Sequence, residues 1–172
     1  MTQTRLLPII LLAIGLSSAA HADDSCKLLF DADKKMVLSP HHSFSTITVP
    51  SHKAPRISES IFMGGMNGAV YILSQGKWMR SNYGPDEVLK QKEENIRDSK
   101  SSCRYLRDEA VNGESAAVYS IHVEDEDSKS GGIIWLSKSK GMPLREELDS
   151  DIGPGQTHTA VRYDYSNVRA PM

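Results

Sequence analysis

Signatures of catalysis are what this sequence most lacks. No Gly-x-Ser-x-Gly elbow occurs and no Ser, His and Asp arrangement is recognisable by local motif, so a hydrolase has no footing. No glycine-rich loop opens a helix, which leaves nucleotide binding without a motif. Beyond the first 22 residues the histidines are His41, His42, His52, His122 and His158, none in a helical His-x-x-x-His pair. His41 and His42 are neighbours on an expected strand, where their side chains face opposite ways and cannot readily chelate one ion. Glu146 with Glu147, and Asp149 with Asp151, read as charged neighbours on the solvent side of a strand and not as a catalytic pair. The expectation is a non-enzymatic protein with no catalytic residue, no metal and no cofactor.

An excess of one charge is also missing. Lys and Arg number 20 against 22 Asp and Glu, a formal net charge of -2. Nucleic-acid binders carry a clustered basic face, so no nucleic-acid partner is expected. Repeats of fixed period and low-complexity tracts are absent as well.

Long hydrophobic runs are confined to the N-terminus. Arg5 precedes an apolar stretch from Leu6 to Ile14, followed by mostly small residues ending at Ala20, His21 and Ala22. This is the pattern of a secretory signal peptide, residues 1–22. A membrane span needs about 20 apolar residues, and this core is shorter and interrupted by Pro8. Cleavage after Ala22 leaves Asp23 to Met172, an ordinary size for one domain, with no second stretch long enough to span. A soluble periplasmic protein without a transmembrane anchor is the expectation. Asp24 and Ser25 precede Cys26 where a lipobox has Leu and small residues, so Cys26 reads as a thiol and not as a lipid anchor.

Cysteine is scarce, with Cys26 and Cys103 the whole supply. Export places them where disulfides form and persist, so one bridge between them is expected. A redox or metal-binding pair would need the close Cys-x-x-Cys spacing that is absent here.

Strand and helix signals alternate clearly along the remainder. Cys26, Leu29, Phe30, Met36 and Val37 recur at helical spacing, predicting a helix over 25–38 that stops before Pro40. Strands are expected at 42–49, 56–63, 69–73 and 77–80, the first two joined through the proline-rich 50–55 connection. Pro85, Asp86 and Glu87 open a charged surface helix over 85–98. Five further strands follow at 102–107, 114–123, 133–137, 144–148 and 158–165, with Asn112-Gly113 and Lys140-Gly141 as turns and Gly131-Gly132 leading into the third of them. Short connections suit antiparallel pairing, giving an α+β class with about nine strands and two helices.

The large apolar side chains on these strands are Phe44, Phe62, Tyr71, Trp78, Tyr119, Trp135, Leu144 and Tyr163, the first seven of them the candidate lining of a ligand cavity. A strongly curved sheet can use such residues to line a cavity for an apolar ligand, or they can pack as an ordinary core. The sequence leaves both readings open.

One stretch narrows the choice. Ile134, Trp135, Leu136 and Ser137, then Gly141, Met142, Pro143, Leu144 and Arg145, followed by a late strand with Tyr163 and Tyr165, resemble a pattern in exported bacterial proteins of the LolA, LolB and RseB type. The resemblance implies a curved antiparallel sheet, an unclosed half-barrel, whose apolar concave side is covered by helices. It also implies binding of a lipid, a lipoprotein acyl chain or another amphiphile in the bacterial envelope. The alternative it carries is an envelope protein-interaction or sensor module without a lipid cavity.

Overall fold

The strand nearest the N-terminus lies mid-sheet, paired on one side with its sequence neighbour and on the other with the last strand of the chain. The computed structural model describes residues 22–97, 99–126, 128–151 and 155–171. The expected leader, residues 1–22, lies outside these apart from Ala22, which begins helix α1 (Ala22–Val37). Strands β1 (His41–Thr48), β2 (Arg56–Phe62), β3 (Val70–Ser74) and β4 (Lys77–Arg80) form a meander. Helix α2 (Pro85–Arg97) then carries the chain to the opposite edge, where β5 (Lys100–Val111), β6 (Glu114–Glu124), β7 (Lys129–Ser137), β8 (Pro143–Asp151) and β9 (Gln156–Asp164) form a second meander. The nine strands make one sheet in the order β4-β3-β2-β1-β9-β8-β7-β6-β5. Every described pairing is antiparallel, and β4 and β5 are left as free edges, so the sheet is not closed.

Local chemistry accounts for the boundaries. Helix α1 ends where Pro40 disfavours helical geometry in the residue before it, and the Ser39 hydroxyl donates to the Lys35 carbonyl at 2.7 Å. Pro85 opens α2, and Glu87 reaches back to accept from the Gly84 N–H at 2.8 Å, one half of a capping box on the first turn. At the β5–β6 turn Asn112 and Gly113 have φ of 52° and 83°, the left-handed pair that a two-residue hairpin requires.

The expected helices and strands are all present, and the second meander runs longer than its apolar residues suggest. β5 continues through Asp108 and Glu109 because β6 offers Ala117 and Ala116 as ladder partners. Gly131 and Gly132 lie inside β7 and not before it. A Cβ on Gly132 would stand 2.0 Å from the Glu147 carbonyl oxygen, so glycine here permits close approach of two strands and does not mark a turn.

Helix α1 buries Cys26, Leu29 and Ala32 against Cys103, Ile134 and Leu136. Its last turn, Met36 and Val37, meets Leu89 of α2, with Phe62 and Tyr163 packed alongside. His41 sits in the same region, 1% exposed, stacked on Phe62 at 4.4 Å between centroids. Its Nδ1 lies 2.9 Å from the Ser39 carbonyl oxygen and donates to it. A separate cluster, Ala116, Val118, Trp135 and Leu144, forms on the opposite face of the sheet.

Cys26 and Cys103 are bonded, with 5.0 Å between their Cα atoms, and fasten α1 to edge strand β5 across a sequence separation of 77. The chain-entropy model assigns a loop of that length about 4 to 5 kcal/mol. Domains are commonly stable by about 5 to 15 kcal/mol, so this bond is a large share of the total. The Cys26→Ser/Cys103→Ser double variant should lose about 4 kcal/mol in a urea titration. A loss below about 1 kcal/mol would show that α1 is seated by packing alone.

Candidate functional site

A cleft of about 210 Å³ opens between the two helices and strands β6 to β8. Its roof is Leu29, Phe30 and Asp33 of α1 with Lys92, Asn95 and Ile96 of α2. Ile121 and Val123 of β6, Ile134 of β7 and Leu148 of β8 supply apolar floor. The gap exists because β7 brings Ser130 and Gly131 to the floor, where no large side chain rises to meet α2. Helix α2 buries only Pro85 and Leu89, both in its first half, so its second half stands over the cleft without plugging it.

Two ion pairs hold α2 to α1. Lys92 Nζ lies 2.8 Å from Asp33 Oδ2, and Lys34 Nζ lies 2.9 Å from Glu93 Oε1. The Lys92 and Asp33 side chains are 41% and 22% exposed, so this pair stays in touch with solvent at the cleft mouth. Burial pulls the Lys92 ammonium down, but the charge and hydrogen bond of Asp33, with Glu146 adding, outweigh it and hold the group above its ordinary value.

Glu146 lies on the floor, facing the helices. Removal from water pushes its carboxyl up to about 7, the nearby Asp33 charge adds to this, and Lys92 and the Tyr163 hydroxyl oppose it. Tyr163 is pushed well above the ordinary phenol value, first by burial and then by the Glu146 charge. Burial likewise raises Tyr165, whose hydroxyl donates to the Pro143 carbonyl. Apolar walls, a paired charge at the mouth and a carboxyl that is readily protonated can accept an apolar chain with a polar end.

The seven large residues singled out from the sequence divide between the two faces. Phe62 and Tyr119 lie on the helix-covered face, packed beside the α1 and α2 clusters. Phe44, Tyr71, Trp78, Trp135 and Leu144 lie on the other, where register places Phe44 with Arg162 and Trp135 with Arg145. None of the seven is among the residues lining the cleft. Cys26 and Cys103 stand beside it, in the cluster that includes Leu29 and Ile134. Among the described residues no group of His, Cys, Asp and Glu is arranged to hold a metal ion.

Asp33 and Lys92 escaped the sequence reading, which named Glu146 only as a charged neighbour of Glu147 and Tyr163 only as a large side chain of the late strand. Glu146 and Glu147 are adjacent on β8 and therefore face opposite sides, so the reading of both as solvent-side neighbours fails for Glu146. The usable signal was that Glu146 shares its face with Leu148. Nothing local marks Asp33 or Lys92, since each sits on a helix with charged neighbours.

No family model matches the chain, and no curated protein does. Solved structures do match. The Mycobacterium tuberculosis lipoprotein LppX aligns with a TM-score of 0.49 and 8% identity, covering 86% of this chain and 97% of that one. The MucA/MucB complex of Pseudomonas aeruginosa aligns at 0.49 and 16%, covering 88% of this chain and 59% of the matched one. A LolA superfamily protein from Nitrosomonas europaea aligns at 0.31 and 10%, covering 88% and 94%. The likeness is one of fold. The open antiparallel sheet under two helices is evident from the strand order itself, and the cleft chemistry rests on this chain's own residues.

Glu146 makes stability depend on pH in a fixed direction. An ordinary glutamate titrates near 4.5 and Glu146 at about 7, so between these values the folded protein holds a proton that the unfolded chain has released. Its contribution is full below the lower value and is lost as pH rises through the higher one. Burial lowers His41, whose contribution instead is present above its ordinary 6.5 and lost as pH falls. Comparing Glu146→Gln with the parent cancels His41. The variant should melt higher than the parent at about pH 8 and nearly equal to it at about pH 4. An equal difference at both would refute a desolvated carboxyl.

Proposed function

We propose that the protein is an exported, non-enzymatic binder of an acyl chain or similar amphiphile in the bacterial envelope. The observation that carries this reading is the apolar cleft of about 210 Å³ between helices and sheet. Small-molecule pockets commonly measure about 300 to 1,000 Å³, so the cleft suits one short chain or the end of a longer one, not a bundle of chains. Each methylene removed from water contributes roughly 0.8 kcal/mol, enough for useful affinity from a partly buried chain. The polar end of the guest would rest at the mouth near Lys92 and Asn95.

The floor sets a pH preference. Protonated Glu146 leaves the floor uncharged beneath the paired Asp33 and Lys92, which suits an apolar tail, whereas ionised Glu146 does not. Affinity for a neutral amphiphile should therefore rise as pH falls from about 8 to 6.

Membrane passage by a helix is not part of this reading, since no described helix is long and apolar enough to cross a bilayer. A second reading, docking of an envelope protein, draws on the β4 edge, where Met79 and neighbouring Ile72 are 55% and 39% exposed. It draws less on α2, because Lys92 and Glu93 already bind α1.

Displacement of an apolar fluorescent probe by octanol tests the first reading. Binding should weaken at least about tenfold in Leu148→Trp, which fills the cleft, with circular dichroism unchanged. Octanol affinity that ignores both Leu148→Trp and pH would place the guest elsewhere.

A further inference from the structure

The face of the sheet away from the helices carries a cross-strand row that the cleft does not explain and that ends on Trp135 of the buried cluster there. Phe44 on β1 is opposite Arg162 on β9, Arg162 is opposite Arg145 on β8, and Arg145 is opposite Trp135 on β7. Two like charges thus meet directly across a ladder, an arrangement that by itself destabilises a sheet. Each guanidinium is held on the aromatic ring at its far side. Arg162 Cζ lies 4.2 Å from the Phe44 ring centroid and Arg145 Cζ lies 4.9 Å from that of Trp135. Such stacking orients the planes while leaving N–H groups free to donate.

Between them lies a groove of about 310 Å³, lined by Phe44, Thr46, Asn112, Arg145 and Arg162 with Val111 at the hairpin tip. Its polar side chains offer two guanidiniums, an amide and a hydroxyl, and no carboxylate lines it among the described residues. The neighbouring acids are engaged, Glu147 with Arg145 itself and Glu59, opposite Phe44 on β2, with His42. Glu147 accepts one Nη of Arg145, and Glu109 accepts from Arg107 at 2.7 Å. Asp164, whose charge reaches Arg162, accepts from the Ser166 N–H at 2.8 Å and its hydroxyl at 2.6 Å. Arg162 has no carboxylate in ion-pair contact among the described residues.

We propose that this groove is an anion site that takes a phosphate monoester group between Arg162 and Arg145. The fork of Arg162 and the Arg145 N–H groups that Glu147 does not take match the several oxygens of phosphate. Phe44 and Val111 supply an apolar rim for whatever the phosphate is attached to. The site is separate from the helix-side cleft and stands or falls independently of it.

Nitrogen-15 NMR titration of the full chain with inorganic phosphate and with dihexanoyl phosphatidic acid below its micelle concentration tests this. Arg162 and Arg145 side-chain N–H signals and the Asn112 amide should move together. Arg162→Gln should weaken binding about tenfold, and Arg162→Lys should recover only part of it, because lysine keeps charge but loses the fork. Binding of the lipid alone assigns the site to a headgroup, and binding of both assigns it to phosphate as such; either supports it. Shifts scattered over surface lysines, full recovery by Arg162→Lys, or no binding of either probe overturns it.

Discussion

The ladder between β1 and β9 joins two meanders that would otherwise be separate sheets. Seven residue pairs, from His42 with Asp164 to Thr48 with His158, hold the first strand against the last. With those two strands central, β4 and β5 must be the outer edges, and the chain between them has to cross the sheet. Helix α2 is that crossing, which is why a roof exists over β6 to β8. The same ladder buries His41 beside Tyr163 and Tyr165 and sets Phe44 against Arg162 on the other side. Both the cleft and the arginine row therefore depend on one pairing of residues far apart in sequence.

The two helices are seated very differently. Helix α1 is bonded covalently to β5 and buries five side chains among Cys26, Leu29, Ala32, Met36 and Val37. Helix α2 buries Pro85 and Leu89 and, among the described residues, pairs with α1 through Lys92 and Glu93 in solvent-touched ion pairs, which contribute only about 0 to 1 kcal/mol each. Local opening concentrates where buried contacts are fewest. The back wall of the cleft is thus fixed and its front is the side that yields.

Local rules made much of the fold legible. Pro40, Pro85, Asn112 and Gly113 announced their boundaries because proline and left-handed turns constrain the backbone whatever surrounds them. Gly131 and Gly132 misled because a glycine needed for close strand approach looks the same in sequence as one needed for a turn. The candidate site was harder to read. Phe44 and Trp135 are large and apolar, yet they face away from the helices and serve as platforms for Arg162 and Arg145. Asp33, Lys92 and Glu146 meet only because α1, α2 and β8 converge, and separations of that kind carry no local signal.

The single bond between Cys26 and Cys103 bears on how the chain matures. With only two cysteines in the sequence, one intramolecular pairing exists, so oxidation within a chain has no wrong isomer to form. An oxidant is required and a disulfide-shuffling catalyst is not. Because Cys103 lies in β5, the first helix stays untethered until that strand has emerged. During that interval its thiol can react only with another molecule. The hazard is dimerisation between nascent chains, and it ends when β5 arrives.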